Sequence, residues 1–205
     1  MHQEILNANQ QSLLPLIKSF SNDFYLVGGT ALALYMGHRR SIDFDLFTSG
    51  EIGRLKIKRT VESHDFTIQN VLYEAYDQFH ISVNSVKLTF MRYEFPVKSP
   101  VNFNGIIKLP HIIDLAAMKA YALGGRAKWK DYVDLFFIMK ENFPLKDIEK
   151  RAKKIFSTLF NAKLFREQLS YFEDIDYTEK IDFMGNEIPE SEIRDFLISC
   201  ATKPL

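Results

Sequence analysis

The chain has 205 residues, 46% of them hydrophobic and 25% charged, which suits one soluble globular domain or one domain with an extension. Its 26 Lys and Arg balance 26 Asp and Glu, which excludes a strongly basic nucleic-acid binder and leaves any RNA contact to a local patch. A single cysteine, Cys200, excludes an internal disulfide framework; with no signal peptide and no apolar run long enough for a bilayer, the expected location is the cytoplasm, with no membrane contact.

From the N-terminus, Ile5, Leu6, Leu13, Leu14, Leu16, Ile17 and Phe20 recur at helical spacing. They predict an amphipathic helix over residues 2–20, in one or two pieces because Pro15 interrupts it. Residues 24–27 are an apolar run that reads as a buried strand. Gly28 and Gly29 break it, and residues 30–36 read as a helix ending at a glycine C-cap, Gly37. A basic loop, His38-Arg39-Arg40-Ser41, leads into Ile42-Asp43-Phe44-Asp45-Leu46-Phe47, where apolar and other residues alternate. In a strand this puts Asp43 and Asp45 on one side and Ile42, Phe44 and Leu46 in the core, the two carboxylates leaving the backbone about 6.6 Å apart.

Two like charges this close call for a cation, and hard carboxylate oxygens suit Mg²⁺ or Mn²⁺ rather than zinc. The Gly-Gly turn that opens a helix offers free N–H groups and the positive end of the helix dipole to a phosphate. Alone, a Gly-Gly is more often just a turn, and Asp-x-Asp also occurs on a solvated sheet face. Together within one short span they describe a phosphate cradle facing a metal-binding pair, the equipment of phosphoryl or nucleotidyl transfer.

Gly-Gly-Thr followed by His-Arg-Arg-Ser-Ile-Asp-Phe-Asp-Leu-Phe resembles the first motif of the polymerase-β-like nucleotidyltransferases, and within them the AbiEii/AbiGii toxin group. The resemblance implies an α/β (α+β) fold, a small mixed sheet with flanking helices and a helical C-terminal extension. It also implies an NTP substrate, with Gly28, Gly29 and Thr30 around the triphosphate, Arg39 and Ser41 as further substrate contacts, and Asp43 and Asp45 as catalytic metal ligands. A tRNA or protein acceptor and a cognate antitoxin are its implied partners.

Farther along, residues 52–61 carry Ile52, Leu55, Ile57 and Val61 in a helix-like pattern with a basic face. From Phe66 to Tyr93 the period becomes two, and three strands with turns at Asp77-Gln78 and Asn84-Ser85 read as an antiparallel meander. Many of the resembled enzymes carry a third carboxylate on the last of these strands, beside the first pair. The matching position here is Thr89, whose hydroxyl cannot act as a carboxylate does, so a degenerate nucleotide- or partner-binding protein is the alternative. A hairpin around Asn104-Gly105 ends the sheet-forming part.

Pro110 opens an Ala-rich helix that stops at Gly124-Gly125, and a second helix follows over residues 129–139. Lys119 is an odd residue on an otherwise apolar helix. Lys130, Asp131 and Asp134 are spaced to share a helix face. The cluster reads either as a surface ion-pair network or as Lys119 and Arg126 reaching a triphosphate while Asp131 and Asp134 orient them. A helix lysine, then Arg-x-Lys, then Lys-Asp-x-x-Asp also resembles the toxin group's later motif, which implies catalytic Lys119 and substrate-binding Arg126, Lys130, Asp131 and Asp134. Beyond Pro144 three helices are predicted, over 148–160, 164–172 and 190–201, with Lys153, Lys154, Lys163 and Arg166 as a solvated face or an acceptor groove. The reading divides the chain into a core, 1–109, and a helical part, 110–205.

Overall fold

The structure, a computed structural model, describes residues 1–203. It falls into two compact units, one from Met1 to His111 and one that begins at Ile112.

In the first unit a 3-10 turn, Gln3–Ile5, precedes α1 (Ala8–Ser12) and α2 (Leu14–Ser19). Asn7 caps α1 in a capping box with Gln10. The N-terminal segment is therefore three short pieces rather than the one or two expected. Pro15 does not interrupt a helix but sits in the first turn of α2, where its missing N–H costs nothing.

Next come β1 (Tyr25–Val27), α3 (Gly28–Met36), β2 (Phe44–Thr48) and α4 (Arg54–Glu62), then β3 (Ile68–Ala75), β4 (Gln78–Val83) and β5 (Val86–Arg92). The five strands form one sheet in the order β1-β2-β5-β4-β3. β3, β4 and β5 are the expected antiparallel meander, joined at Asn84-Ser85, where both residues take positive φ as a two-residue primed turn requires. β2 pairs with β5 in parallel and with β1 antiparallel, so the sheet is mixed. A separate hairpin, β6 (Val101–Phe103) and β7 (Ile107–Leu109), turns at Asn104-Gly105.

One sheet face is the core: Phe44 and Leu46 of β2, Leu88 and Phe90 of β5, and Phe79 and Ile81 of β4 are fully buried. Phe20 and Phe24 meet the Phe90 ring edge-on at 5.0 and 5.2 Å. One expected core residue is not there, and one residue of the 52–61 apolar pattern is exposed. Ile42 is 64% exposed because β2 begins at Phe44, so the pleat that would turn it inward has not started. Leu55 is exposed because α4 begins at Arg54 and turns Ile57 and Val61 inward instead.

The second unit is helical: α5 (Ile112–Leu123), α6 (Trp129–Glu141), α7 (Leu145–Phe156), α8 (Ala162–Leu169) and α9 (Glu190–Thr202). α7 starts directly after Pro144 and ends at Ser157, whose φ of +52° stops a helix that the apolar pattern carried on to residue 160. Arg166 does not line a groove. It grips the buried Glu149 through two nitrogens, at 2.5 and 2.9 Å, and donates to the Lys203 carbonyl at 2.8 Å, tying α8 to α7 and to the end of α9. Residues 174–185, helix-free as expected, are anchored where Asp176 bridges Lys128 and exchanges backbone bonds with Ala127 and Trp129 at 2.7 and 3.0 Å. Among the described residues no helix is long and apolar enough to cross a membrane.

Candidate functional site

The antiparallel pairing of β1 with β2 sets Val27 opposite Asp45, so the residue that follows Val27 emerges beneath the Asp45 carboxylate. That residue is Gly28, with φ +73°, and a Cβ built on it would stand 2.2 Å from Asp45 Oδ2. Only glycine meets both conditions, the left-handed backbone and the close approach. Val27 brings no capping side chain to α3, so the first amides of the helix keep no side-chain acceptor there. The Asp45 carboxylate thus lies at the positive end of the α3 dipole.

Gly29 is crowded from the other side. A Cβ there would fall 2.7 Å from Arg39 Nη2 and 2.9 Å from Ser41 Oγ. Arg39 is only 4% exposed, and its Nη1 donates to the Arg40 carbonyl at 2.9 Å. The Thr30 hydroxyl donates to the Asp43 carbonyl and is hydrogen-bonded to the Ser41 hydroxyl at 3.0 Å. The fold therefore brings Gly28, Gly29, Thr30, Arg39, Ser41, Asp43 and Asp45 together, as their order in the chain suggests. It uses Thr30 differently, as a buried latch on the 38–43 loop. Asp43 is half-buried and lies one residue before β2, so its place is set by the Thr30 latch and not by the strand pleat.

The parallel register places Thr89 of β5 directly beside Asp45 of β2, and the antiparallel register places His80 of β4 beside Thr89. Registered neighbours share a face, so Asp45, Thr89 and His80 form one row on the face opposite the aromatic core. Thr89 is 6% exposed, and its Oγ1 is buried without a hydrogen-bond partner. His80 Nε2 is 3.1 Å from Gln78 Oε1, and its ring lies 5.3 Å from that of Tyr73. Burial and the Lys87 charge hold His80 below the ordinary imidazole range, against an upward pull from Asp45. Sequence reasoning passed over His80. The alternation around it and the two-residue turn at Asn84-Ser85 were the signal that aligns it with Thr89.

In the second unit Lys119 of α5 is buried between two α6 carboxylates that are wholly inaccessible, with Nζ 2.5 Å from Asp131 Oδ1 and 2.7 Å from Asp134 Oδ2. Arg126 Nε stands 3.3 Å from Asp131 Oδ2 without the alignment of a hydrogen bond, and its side chain is exposed. The surface-network reading is thereby corrected for Lys119, Asp131 and Asp134, which form a buried ionic cluster. Lys130 does not share it: its ammonium binds Glu179, as does that of Lys128. Burial alone would raise the Glu179 carboxyl, but the bonds and charges of these two lysines outweigh it and bring the pKa down to about 2.

As a metal site, the first unit offers the carboxylates of Asp43 and Asp45, and no group of three or more His, Cys, Asp or Glu stands together among the described residues. A two-carboxylate set fits Mg²⁺, which keeps water and takes phosphate oxygens as its remaining ligands.

A family model described as nucleotidyl transferase AbiEii toxin, type IV toxin–antitoxin system, matches residues 16–203. The uncharacterized protein aq_aa25 of Aquifex aeolicus (strain VF5) is 35% identical over 176 residues, 82% of this chain and 84% of that protein. Among solved structures, the nucleotidyltransferase toxin MenT4 of Mycobacterium tuberculosis H37Rv superposes with a TM-score of 0.61 at 14% identity, covering 94% of this chain and 80% of that one. JHP933 of Helicobacter pylori gives 0.58 at 20% identity, covering 94% and 88%. At these identities the two superpositions speak for the fold.

Proposed function

The chain belongs to the AbiEii nucleotidyl transferase toxin family of type IV toxin–antitoxin systems, and from that premise we propose that it moves a nucleotidyl group from an Mg²⁺-bound NTP to a hydroxyl of tRNA or protein. The observation that carries the reading is the placement of Asp45 over Gly28 at the N-terminus of α3, with the backbone carbonyl of Asp43, two residues before it, held by Thr30. Asp43 and Asp45 would hold the metal, which when bound neutralises phosphate charge and polarises the α-phosphorus. The α3 amides at Gly28 and Gly29 hold phosphate oxygens, and Arg39 and Ser41 fix the turn that presents them. Lys119 and Arg126 are assigned to the triphosphate, with Asp131 and Asp134 orienting them, on the strength of the family's later motif. A cognate antitoxin and a cytoplasmic setting complete the proposal.

The threonine in register with Asp45, whose hydroxyl cannot act as a carboxylate does, favours a second reading, a binder of Mg²⁺-NTP that transfers nothing. The two are separated by incubating the protein with Mg²⁺, each α-phosphate-labelled NTP in turn, bulk tRNA and cell extract, with Asp43→Ala and Asp45→Ala alongside. Label in RNA or protein that vanishes in both variants supports the transferase. Calorimetric binding of Mg²⁺-NTP with no label in any lane supports the binder.

A further inference from the structure

We infer that Thr89 and His80 form the subsite for the acceptor hydroxyl, Thr89 Oγ1 holding its oxygen and His80 taking its proton. The inference rests on the transferase reading above. A transferase of this kind has to place an attacking hydroxyl beside the α-phosphorus and remove its hydrogen, and a carboxylate next to the metal-binding pair is one way to do so. In this chain the residue in register with Asp45 is a threonine, which can hold a hydroxyl but cannot accept its proton at neutral pH.

Two features of the row point to a missing ligand and a substitute base. Thr89 Oγ1 is a buried polar atom with nothing bonded to it, on the same face as Asp45. Such a group costs stability unless something completes it, and an incoming hydroxyl would. The next residue in the same row is His80, whose imidazole is registered against Thr89. Its Nε2 faces Gln78 Oε1 at 3.1 Å, and a neutral ring that donates there keeps its lone pair on Nδ1. Burial and Lys87 favour that neutral form. The facing groups are Asp45 from β2, Lys87 from β5 and Tyr73 from β3, the last with its ring tilted against the imidazole at 5.3 Å.

The step balances without a further reactant. The acceptor oxygen forms a bond to the α-phosphorus, the bond from that phosphorus to the β-phosphate bridging oxygen breaks, pyrophosphate leaves, and the acceptor proton passes to His80 Nδ1 and then to solvent.

The test uses the full chain with Mg²⁺ and labelled NTP, and bulk tRNA in one arm and a tRNA-depleted cell extract in the other. The variants are His80→Gln, His80→Ala, Thr89→Val and, as a control on the site itself, Asp45→Ala. We expect His80→Gln and His80→Ala to lower kcat by about 10²–10⁴-fold, the ordinary contribution of general base catalysis, with calorimetric binding of Mg²⁺-NTP unchanged. Free imidazole should restore part of the His80→Ala rate, and Thr89→Val should raise KM for the acceptor more than it lowers kcat. Wild-type transfer that the His80 variants leave at full rate overturns this inference and spares the transferase reading. A loss in the His80 variants that comes with weaker Mg²⁺-NTP binding, or that imidazole does not relieve, overturns it in favour of a structural role. No transfer by wild type in either arm overturns the transferase reading, and this inference with it.

Discussion

A methyl group at position 28 would have to occupy space within 2.2 Å of an Asp45 oxygen, on a backbone already at φ +73°. Gly28→Ala is therefore expected to push the carboxylate off the end of α3 and lower transfer by about 10²-fold or more, the scale of an ångström-sized misplacement at a reacting centre. Gly53→Ala is the matched control. Its Cβ would meet nothing closer than a Lys56 carbon at 3.5 Å, so activity should hold and stability should shift by no more than about 0.5 kcal/mol. Lys119 and Arg126, neighbours in the same motif, should separate in the same way. Lys119→Met strips two fully buried carboxylates of their shared cation and should cost about 3–5 kcal/mol in urea unfolding. Arg126→Ala removes an exposed side chain and should cost under about 1 kcal/mol, while its proposed role at the triphosphate predicts weaker calorimetric binding of Mg²⁺-NTP. Activity lost in a Lys119 variant must accordingly be read beside its melting curve.

At the scale of elements, the meander holds its register through a turn built of residues that are not glycine. Asn84 and Ser85 both sit at positive φ, a conformation that penalises a Cβ. Ser85→Gly should stabilise the protein by about 0.5–1 kcal/mol in denaturant unfolding and leave the His80–Thr89 pairing and transfer unchanged. In the helical unit, Arg166→Ala leaves Glu149 buried without its bidentate partner and should cost about 3–5 kcal/mol, whereas Lys153→Ala and Lys154→Ala on exposed turns of α7 should stay within about 0.5 kcal/mol. The contrast matters because these side chains read alike in the sequence, as basic residues on two amphipathic helices. What distinguishes Arg166 is a glutamate on another helix.

At the scale of the whole molecule, acid should loosen the segment that Glu179 secures. Its carboxyl is held near 2 in the fold against an ordinary value of 4.5, so its contribution is complete above about 4.5 and is lost as pH falls toward 2. Trp129 reports on this, because Tyr177 packs against its ring at 5.3 Å and Asp176 bonds its amide. Titrating Trp129 fluorescence from pH 6 to pH 2 should show a transition in that window, and Glu179→Gln should remove it.

Much of the first unit was legible because its signals are local. Phe44, Asp45 and Leu46 alternate as a strand must, Gly37 at φ +63° ends α3, and Asn84-Ser85 fixes by arithmetic which residues of β4 and β5 face each other. The first motif was legible too, since Gly28, Gly29, Arg39, Ser41, Asp43 and Asp45 lie within a few residues of one strand-turn-helix-strand unit. The sequence by itself determined these elements, because backbone sterics and side-chain alternation act over a handful of residues. The family resemblance already pointed to Thr89 as the position beside the carboxylate pair, whereas only the tertiary structure decided that β5 lies parallel to β2, that Ile42 falls outside the pleat, that Lys119 is caged by Asp131 and Asp134 while Lys130 turns to Glu179, and that Arg166 is a strut. Each of these depends on which distant segments meet, and a parallel crossover or an ion pair between helices leaves no periodicity in the chain from which to read it.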